Sequence, residues 1–298
     1  MKPLAPLVLG FAVAFTQLTS ASAEILVKSG DKIAFLGDSI TQGGWSNAAG
    51  YVRLVMAGLE ANGVKAEPIA VGISGNKSND MLGRLERDVL SKKPQWMTLS
   101  CGVNDVWHGK RGVPLDDAMA ASGTYDAPGT RGTYKKNIGE IVDKAQGAGI
   151  KVVLLTATVI REKLDNKENA ELAPYNEFLR GLAKDKKLPV ADLNAMFQEK
   201  IKAANQPDKN TYTSDGVHMN AEGNKLMATG VLRAFGLDEA ALAKANAAWP
   251  AMIEKATADA KVAAEAKAKA DAAKKEADAA KKAAAAAAPG APAVPSPK

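Results

Sequence analysis

The sequence predicts an α/β domain in which helices cover both faces of a parallel sheet. Two observations lead there. Five short apolar runs, each closed by turn residues, alternate with stretches of helical periodicity, the pattern of βαβ units. Small polar clusters directly follow several of these runs, where open parallel sheets carry their functional groups.

The elements follow in order. Lys32 to Leu36 reads as a strand, followed by a Gly/Ser/Thr loop. Tyr51 to Ala61 reads as a helix, because Val52, Val55, Met56 and Leu59 share a face and Gly63 lies just past its end. Ile69 to Val71 is a strand. Ser78 to Leu90 is a helix with Asn79 or Asp80 as its cap. Trp96 to Ser100 is a strand. Thr133 to Gln146 is a helix with Ile138, Ile141, Val142 and Ala145 at helical spacing, stopped by Gly147 and Gly149. Lys151 to Thr156 is a β-branched strand. Glu171 to Lys184 and Leu193 to Ala204 are helices on either side of a short strand, Val190 to Asp192. Ala221 to Phe235 is the last helix of the domain, and residues 24–240 have the length of one such domain.

Both ends differ in composition from this middle region. Residues 1–23 read as an export signal: Lys2, an apolar run from Leu7 to Phe15, and the small-x-small pattern Ala21-Ser22-Ala23. That run is too short for a membrane span, and the mature chain is expected to begin at Glu24 in a periplasmic or secreted setting. Residues 241–288 are an Ala/Lys/Glu/Asp polymer, roughly half alanine, in which large apolar residues stop at Val262. Strong helix formers without an apolar face predict a solvated helical tail, and residues 289–298 a Pro-rich disordered tip. The tail reads as a spacer, with weak association of its lysines with anionic envelope polymers as the sharper alternative.

The formal charge of +6 must be apportioned before it implies a partner. Residues 241–298 hold ten Lys against six Asp and Glu, a net of +4, and Lys2 adds one more. The remaining +1 makes residues 24–240 nearly neutral. Nucleic-acid binding needs a clustered basic face and loses its support. One cysteine and two histidines exclude disulfide frameworks and Cys- or His-rich metal clusters. Cys101, at the end of an apolar strand, reads as a small buried hydrophobe.

Four polar clusters remain: Gly37-Asp38-Ser39-Ile40-Thr41, Gly72-Ile73-Ser74-Gly75-Asn76, Gly102-Val103-Asn104-Asp105 and Ser214-Asp215-Gly216-Val217-His218. In a parallel sheet they converge on one edge. A serine hydroxyl becomes a nucleophile when a base removes its proton, and the His218 imidazole can be that base for Ser39. Asp215, three residues before the histidine, can orient the ring and stabilise the imidazolium. A tetrahedral oxyanion needs preorganised donors, and the Ser39 N–H, the Gly75 N–H and the Asn104 amide are candidates. Lacking Cβ, Gly75 lets its backbone approach a ligand closely. Asp38 reads as an organiser of its loop.

These four blocks, in this order, resemble those of the SGNH, or GDSL-type, hydrolases, and the resemblance covers residues from about 32 to 236. It implies a flavodoxin-like three-layer α/β/α fold with a five-stranded parallel sheet. It implies an ester hydrolase that works through an acyl-serine without metal or other cofactor. The family's roles fall on Ser39 as nucleophile, Asp215 and His218 as orienter and base, and Ser39, Gly75 and Asn104 as oxyanion donors.

The substrate reading is finer. Trp45 and Trp107 lie shortly after two of the blocks and are either a stacking wall for a sugar ring or ordinary loop packing. His108 either lines the pocket or is a plain loop histidine, the latter being favoured. The segment from Trp107 to Thr133 is long, polar and broken by Gly109, Gly112, Pro114, Gly123 and Pro128, unlike the apolar trough of a long-chain lipase. A small acyl group, such as acetyl, on a carbohydrate or other polar carrier is therefore expected. Arylesterase, thioesterase or lysophospholipase activity is the alternative within the family. From another class, the chain would be a non-catalytic glycan-binding envelope protein, which would have lost at least one of Ser39, Asp215 and His218.

Overall fold

The computed structural model describes residues 24–126, 131–206 and 209–287. The segments read as an export signal (1–23) and as a Pro-rich tip (289–298) lie outside the described residues. Five parallel strands form one sheet in the order β2-β1-β3-β4-β5. They are β1 (Lys32–Gly37), β2 (Glu67–Gly72), β3 (Trp96–Ser100), β4 (Lys151–Leu155) and β5 (Val190–Ala191). β1 pairs with β2 from Lys32↔Glu67 to Gly37↔Gly72, and with β3 from Ile33↔Trp96 to Leu36↔Leu99. This is the flavodoxin-like order, whose switch point lies between β1 and β3.

The connections set the layers. β1 leads leftward to β2 through α1 (Ser39–Ser46) and α2 (Tyr51–Ala61). The later crossovers run rightward: α3 (Ser78–Asp88) into β3, α4 (Val103–Trp107), α5 (Asp117–Ala120) and α6 (Tyr134–Gly147) into β4, and α7 (Lys167–Asp185) into β5. Right-handed crossovers in opposite directions put their helices on opposite faces. α8 (Leu193–Ala204), α9 (Ala221–Ala234) and α10 (Glu239–Ala287) complete the α2 side, where α9 and α10 both pack on α2. The sheet is buried on both faces, with Phe35, Leu36, Met97, Leu99, Val153 and Leu154 sealed from solvent.

Four differences from the sequence reading have physical causes. The loop expected after β1 is a helix from Ser39, because the Asp38 carboxylate accepts the Ile40 N–H at 2.9 Å and caps it. α3 is capped by neither Asn79 nor Asp80. Lys77 is the cap residue, and Asp80, at the third helical position, accepts the Lys77 N–H at 2.9 Å. α7 begins four residues earlier than expected, because the Asn166 side chain accepts the Asn169 N–H at 2.7 Å. The segment expected as one long polar loop after Trp107 carries α5 and buries Val113 and Leu115, and the Val113 carbonyl accepts a 2.8 Å hydrogen bond from the Tyr175 hydroxyl.

The boundary placed at residue 240 also needs correction. α10 starts at Glu239 and its first turns belong to the core: Leu242, Ala245 and Trp249 are buried. The Trp249 indole donates to the Leu54 carbonyl at 2.9 Å, and Asn62 donates to the Ala241 carbonyl at 2.9 Å. Positions 242, 245 and 249 form a helical stripe that the average composition of the tail conceals. Val262, by contrast, is 67% exposed, so nothing there binds the helix to the domain. Trp249→Ala is expected to cost about 3–5 kcal/mol in denaturant unfolding. Deletion of residues 263–298 is expected to stay within about 0.5 kcal/mol of the full chain.

Candidate active site

The site forms at the carboxyl edge of the sheet, where β1 ends between β2 and β3. Gly37 and Gly72 close the last rung of β1 and β2, and α1 lies directly against them. A Cβ on Gly37 would stand 2.0 Å from Thr41 Oγ1, and one on Gly72 would stand 2.3 Å from the Gln42 nitrogen. Only glycine lets the helix start so close to the strands. Ser39 is its first residue, half-buried at the sheet edge, and first-turn N–H groups have no partner within a helix.

His218 reaches this serine from 179 positions away. Its Nε2 lies 2.9 Å from Ser39 Oγ, and its Nδ1 lies 2.6 Å from Asp215 Oδ2. The loop that carries both partners is tightly closed: Thr213 and Met219 form an antiparallel bridge, and the Ser214 N–H donates to the His218 carbonyl at 2.8 Å. Asp215 Oδ1 accepts the N–H groups of Val217 and His218 at 3.0 and 2.8 Å. Partial burial pushes the Asp215 carboxyl up. The hydrogen bond from the His218 ring and the two backbone donors outweigh it, so Asp215 stays below the usual carboxylate range. With His218 and Asp215 side chains 38% and 51% exposed, the catalytic edge is open to solvent.

The loop has an anchor that the sequence reading missed. Glu162, 5% exposed, accepts the N–H groups of Thr211, Tyr212 and Thr213 at 2.7, 2.8 and 2.7 Å, and the Thr213 hydroxyl at 2.7 Å. Thr213 in turn accepts the Gly216 N–H at 3.2 Å, inside the Asp215–His218 turn. The one signal in the sequence is an acidic residue two positions after the stretch Ala157-Thr158-Val159-Ile160, which follows a strand; its partners lie some fifty residues later.

The two side-chain and backbone donors expected for an oxyanion flank Ser39. Gly75 follows β2 with φ +77, a left-handed conformation glycine adopts freely, and a Cβ there would meet open space. Asn104 is the second residue of α4, after β3, and is buried. Its Nδ2 donates to the Asn76 carbonyl at 3.1 Å, which leaves the amide's second hydrogen for a ligand.

Two buried carboxyls stand behind these groups. Asp38 and Asp105 are 2% and 0% exposed. Burial lifts Asp38 to about 6, against the Ile40 N–H it accepts and with help from the charge of Asp105. Burial likewise lifts Asp105 to about 6, against its hydrogen bonds to Ser78. Cys101 is buried as expected and donates to Asp105 Oδ2 at 3.4 Å; burial and the neighbouring carboxylates push its thiol well up, so it is no nucleophile.

The aromatic candidates separate. Trp107 is 42% exposed and lies one turn after Asn104 on α4, with the His108 ring 6.3 Å away. Burial, then the charges of Lys77 and Arg111, lower the His108 pKa, which favours the neutral ring. Trp45 lies in the last turn of α1, and the Arg53 guanidinium sits 4.6 Å from its ring centre. It lines a groove of about 330 Å³ with Met56, Ala57, Val64 and Met252, none of them from the four polar clusters.

A serine, a histidine and an aspartate in hydrogen-bonded series at the carboxyl edge of an open α/β sheet are the arrangement by which an ester hydrolase activates a serine. The chain belongs to the GDSL-like lipase/acylhydrolase family, whose model matches residues 35–226. An acetylxylan esterase of Geobacillus stearothermophilus is 26% identical over 226 residues, which span 71% of this chain and 97% of that protein. A crystal structure of that esterase overlays with a TM-score of 0.58, covering 72% of this chain and 97% of that one. Another acetyl xylan esterase of known structure is 35% identical, with a TM-score of 0.57, over 68% of this chain and 98% of the other. The protein is a carboxylic ester hydrolase.

The buried carboxyls give stability a definite pH dependence. Their folded pKa values near 6 exceed unfolded values near 4, so the folded state holds extra protons between those limits, and stability falls as pH rises through 6. In Asp105→Asn the fall in unfolding free energy from pH 4 to 7.5 should shrink by about 2 kcal/mol, measured by denaturant titration at each pH. Glu162→Gln replaces an acceptor oxygen by a donor amide facing backbone N–H groups. It is expected to cost about 2–3 kcal/mol of stability in the same measurement and to lower kcat.

Proposed function

We propose that the enzyme is exported and removes acetyl groups from carbohydrate through an acyl-serine intermediate. The observation that carries this reading is the unbroken series from Ser39 Oγ to His218 Nε2 at 2.9 Å and from His218 Nδ1 to Asp215 at 2.6 Å. His218 Nε2 takes the hydroxyl proton as Ser39 Oγ attacks the ester carbonyl carbon. The oxyanion that forms is held by the Ser39 and Gly75 N–H groups and by the second hydrogen of Asn104 Nδ2. Asp215 stabilises the imidazolium until it returns the proton to the departing sugar alkoxide. Water, deprotonated by His218, then attacks the acyl-serine, and collapse of the second tetrahedral intermediate releases acetate and restores Ser39.

Several features support a small acyl group on a polar carrier. The relatives named above are acetylxylan esterases. The open edge at Asp215 and His218 suits a bulky hydrophilic alcohol better than an acyl chain that needs burial. Trp107, exposed one turn beyond Asn104, offers a face on which a sugar ring can stack. Trp45, engaged by Arg53 and facing another groove, contributes less to this reading. Export rests on the signal-like residues 1–23, and no described helix is long and apolar enough to cross a membrane. The exposed part of α10 is then a spacer in the envelope.

Acetate release from acetylated xylan should be lost in Ser39→Ala by at least about 10³-fold. Along a series of p-nitrophenyl esters, kcat/KM should fall at least tenfold from acetate to octanoate. A preference for octanoate would overturn the acetyl assignment, and retained activity in Ser39→Ala would overturn the nucleophile. Trp107→Ala should raise KM for acetylated xylo-oligosaccharides and leave that for p-nitrophenyl acetate unchanged.

A further inference from the structure

Arg84 is a cation on the apolar face of α3, between Met81 and Leu85, both fully buried. Its own side chain is 7% exposed. A guanidinium placed there must find acceptors for its donors, and it finds three. Nη2 donates to the Gly37 carbonyl at 2.9 Å, Nε donates to Asn76 Oδ1 at 2.6 Å, and Nη1 donates to Asp88 Oδ2 at 3.0 Å. Asp88 also accepts from Arg87, which lies at the surface, so this third contact faces away from the chemistry.

The first two acceptors belong to different parts of the site. Gly37 is the last residue of β1, two before Ser39. Asn76 directly follows Gly75, and its carbonyl receives Asn104 Nδ2 at 3.1 Å. One rigid, planar group therefore joins the end of the nucleophile strand to the turn that carries one oxyanion donor and orients the other. Lysine has a single charged nitrogen and cannot hold these diverging acceptors in fixed directions.

We propose that Arg84 is a positioning residue for the oxyanion donors, setting the Gly75–Asn76 turn and the Asn104 amide at a fixed distance from Ser39. The proposal rests on the reading of Ser39 as nucleophile with Gly75 and Asn104 as donors. The contribution belongs to the transition state: a shift of the donors weakens the hold on the oxyanion and leaves ground-state binding of the ester unchanged.

The test uses full-length protein, with p-nitrophenyl acetate kinetics and thermal unfolding on each variant. Arg84→Lys should lower kcat about 10- to 100-fold and leave KM within about threefold. Asn76→Ala should lower kcat by at least fivefold near the wild-type melting temperature, and the double variant should be no slower than Arg84→Lys alone, since both break one path. Asp88→Asn, which weakens only the outer contact, should keep kcat within threefold. Rates within threefold of wild type in Arg84→Lys, equal losses in Asp88→Asn and Arg84→Lys, or losses that multiply in the double variant would each overturn the assignment. If Arg84→Lys does not fold, Asn76→Ala decides: a kcat within threefold of wild type rejects the proposal. Ser39→Ala separates the two levels. Activity surviving in it rejects the underlying reading whatever the Arg84 variants do.

Discussion

The close seating of α1 on the ends of β1 and β2 governs the rest of the catalytic edge. Thr41 and Gln42 lie where side chains on Gly37 and Gly72 would otherwise stand, so the helix begins as soon as the first strand stops. Asp38 turns the chain at that point by capping the helix through the Ile40 N–H. Ser39 is thereby placed at a helix N-terminus, just past the end of the inner strand β1, between the loops that follow β2 and β3. Partial positive charge at the helix end and unpaired first-turn N–H groups favour an oxyanion at the same spot.

Around this seat the protein spends buried polarity, which is costly unless every group is paired. Glu162 takes four hydrogen bonds from the segment leading into the Asp215–His218 turn. Arg84 reaches three acceptors from the opposite side of the edge. Asn224 accepts the Tyr51 N–H at 2.8 Å and donates to the carbonyls of Met219 and Asn220, tying the start of α2 to the end of the histidine loop. Each side chain pairs with backbone groups at this edge, and together they fix segments that the sheet alone would leave loose. The solvent-facing triad is held from beneath.

The positive charge of the chain has little to do with this chemistry. Of the +6, +4 lies in residues 241–298; α10, which takes up most of that segment, closes the α2 face with its first turns through Leu242, Ala245 and Trp249. The same helix is therefore part of the core at its start and exposed by Val262.

The alternation of strands and helices, the near neutrality of the domain and the four polar clusters were legible because each is local: periodicity, composition and short spacing suffice. Ser39, Asp215, His218, Gly75 and Asn104 could be singled out as a set for the same reason, and the fold brings them to one edge. Local signals failed where distant partners decide. The helix at Ser39 depends on a cap and two close contacts that glycine-rich sequence hides. Trp249 looked like tail until Leu54 and α2 enclosed it. Glu162 and Arg84 could not be singled out locally, because their donors and acceptors lie up to fifty-one residues away. The chain by itself determined which groups are candidates for the chemistry. Only tertiary structure decided what holds them, since a buried charge is stable only beside partners that folding brings from elsewhere in the chain.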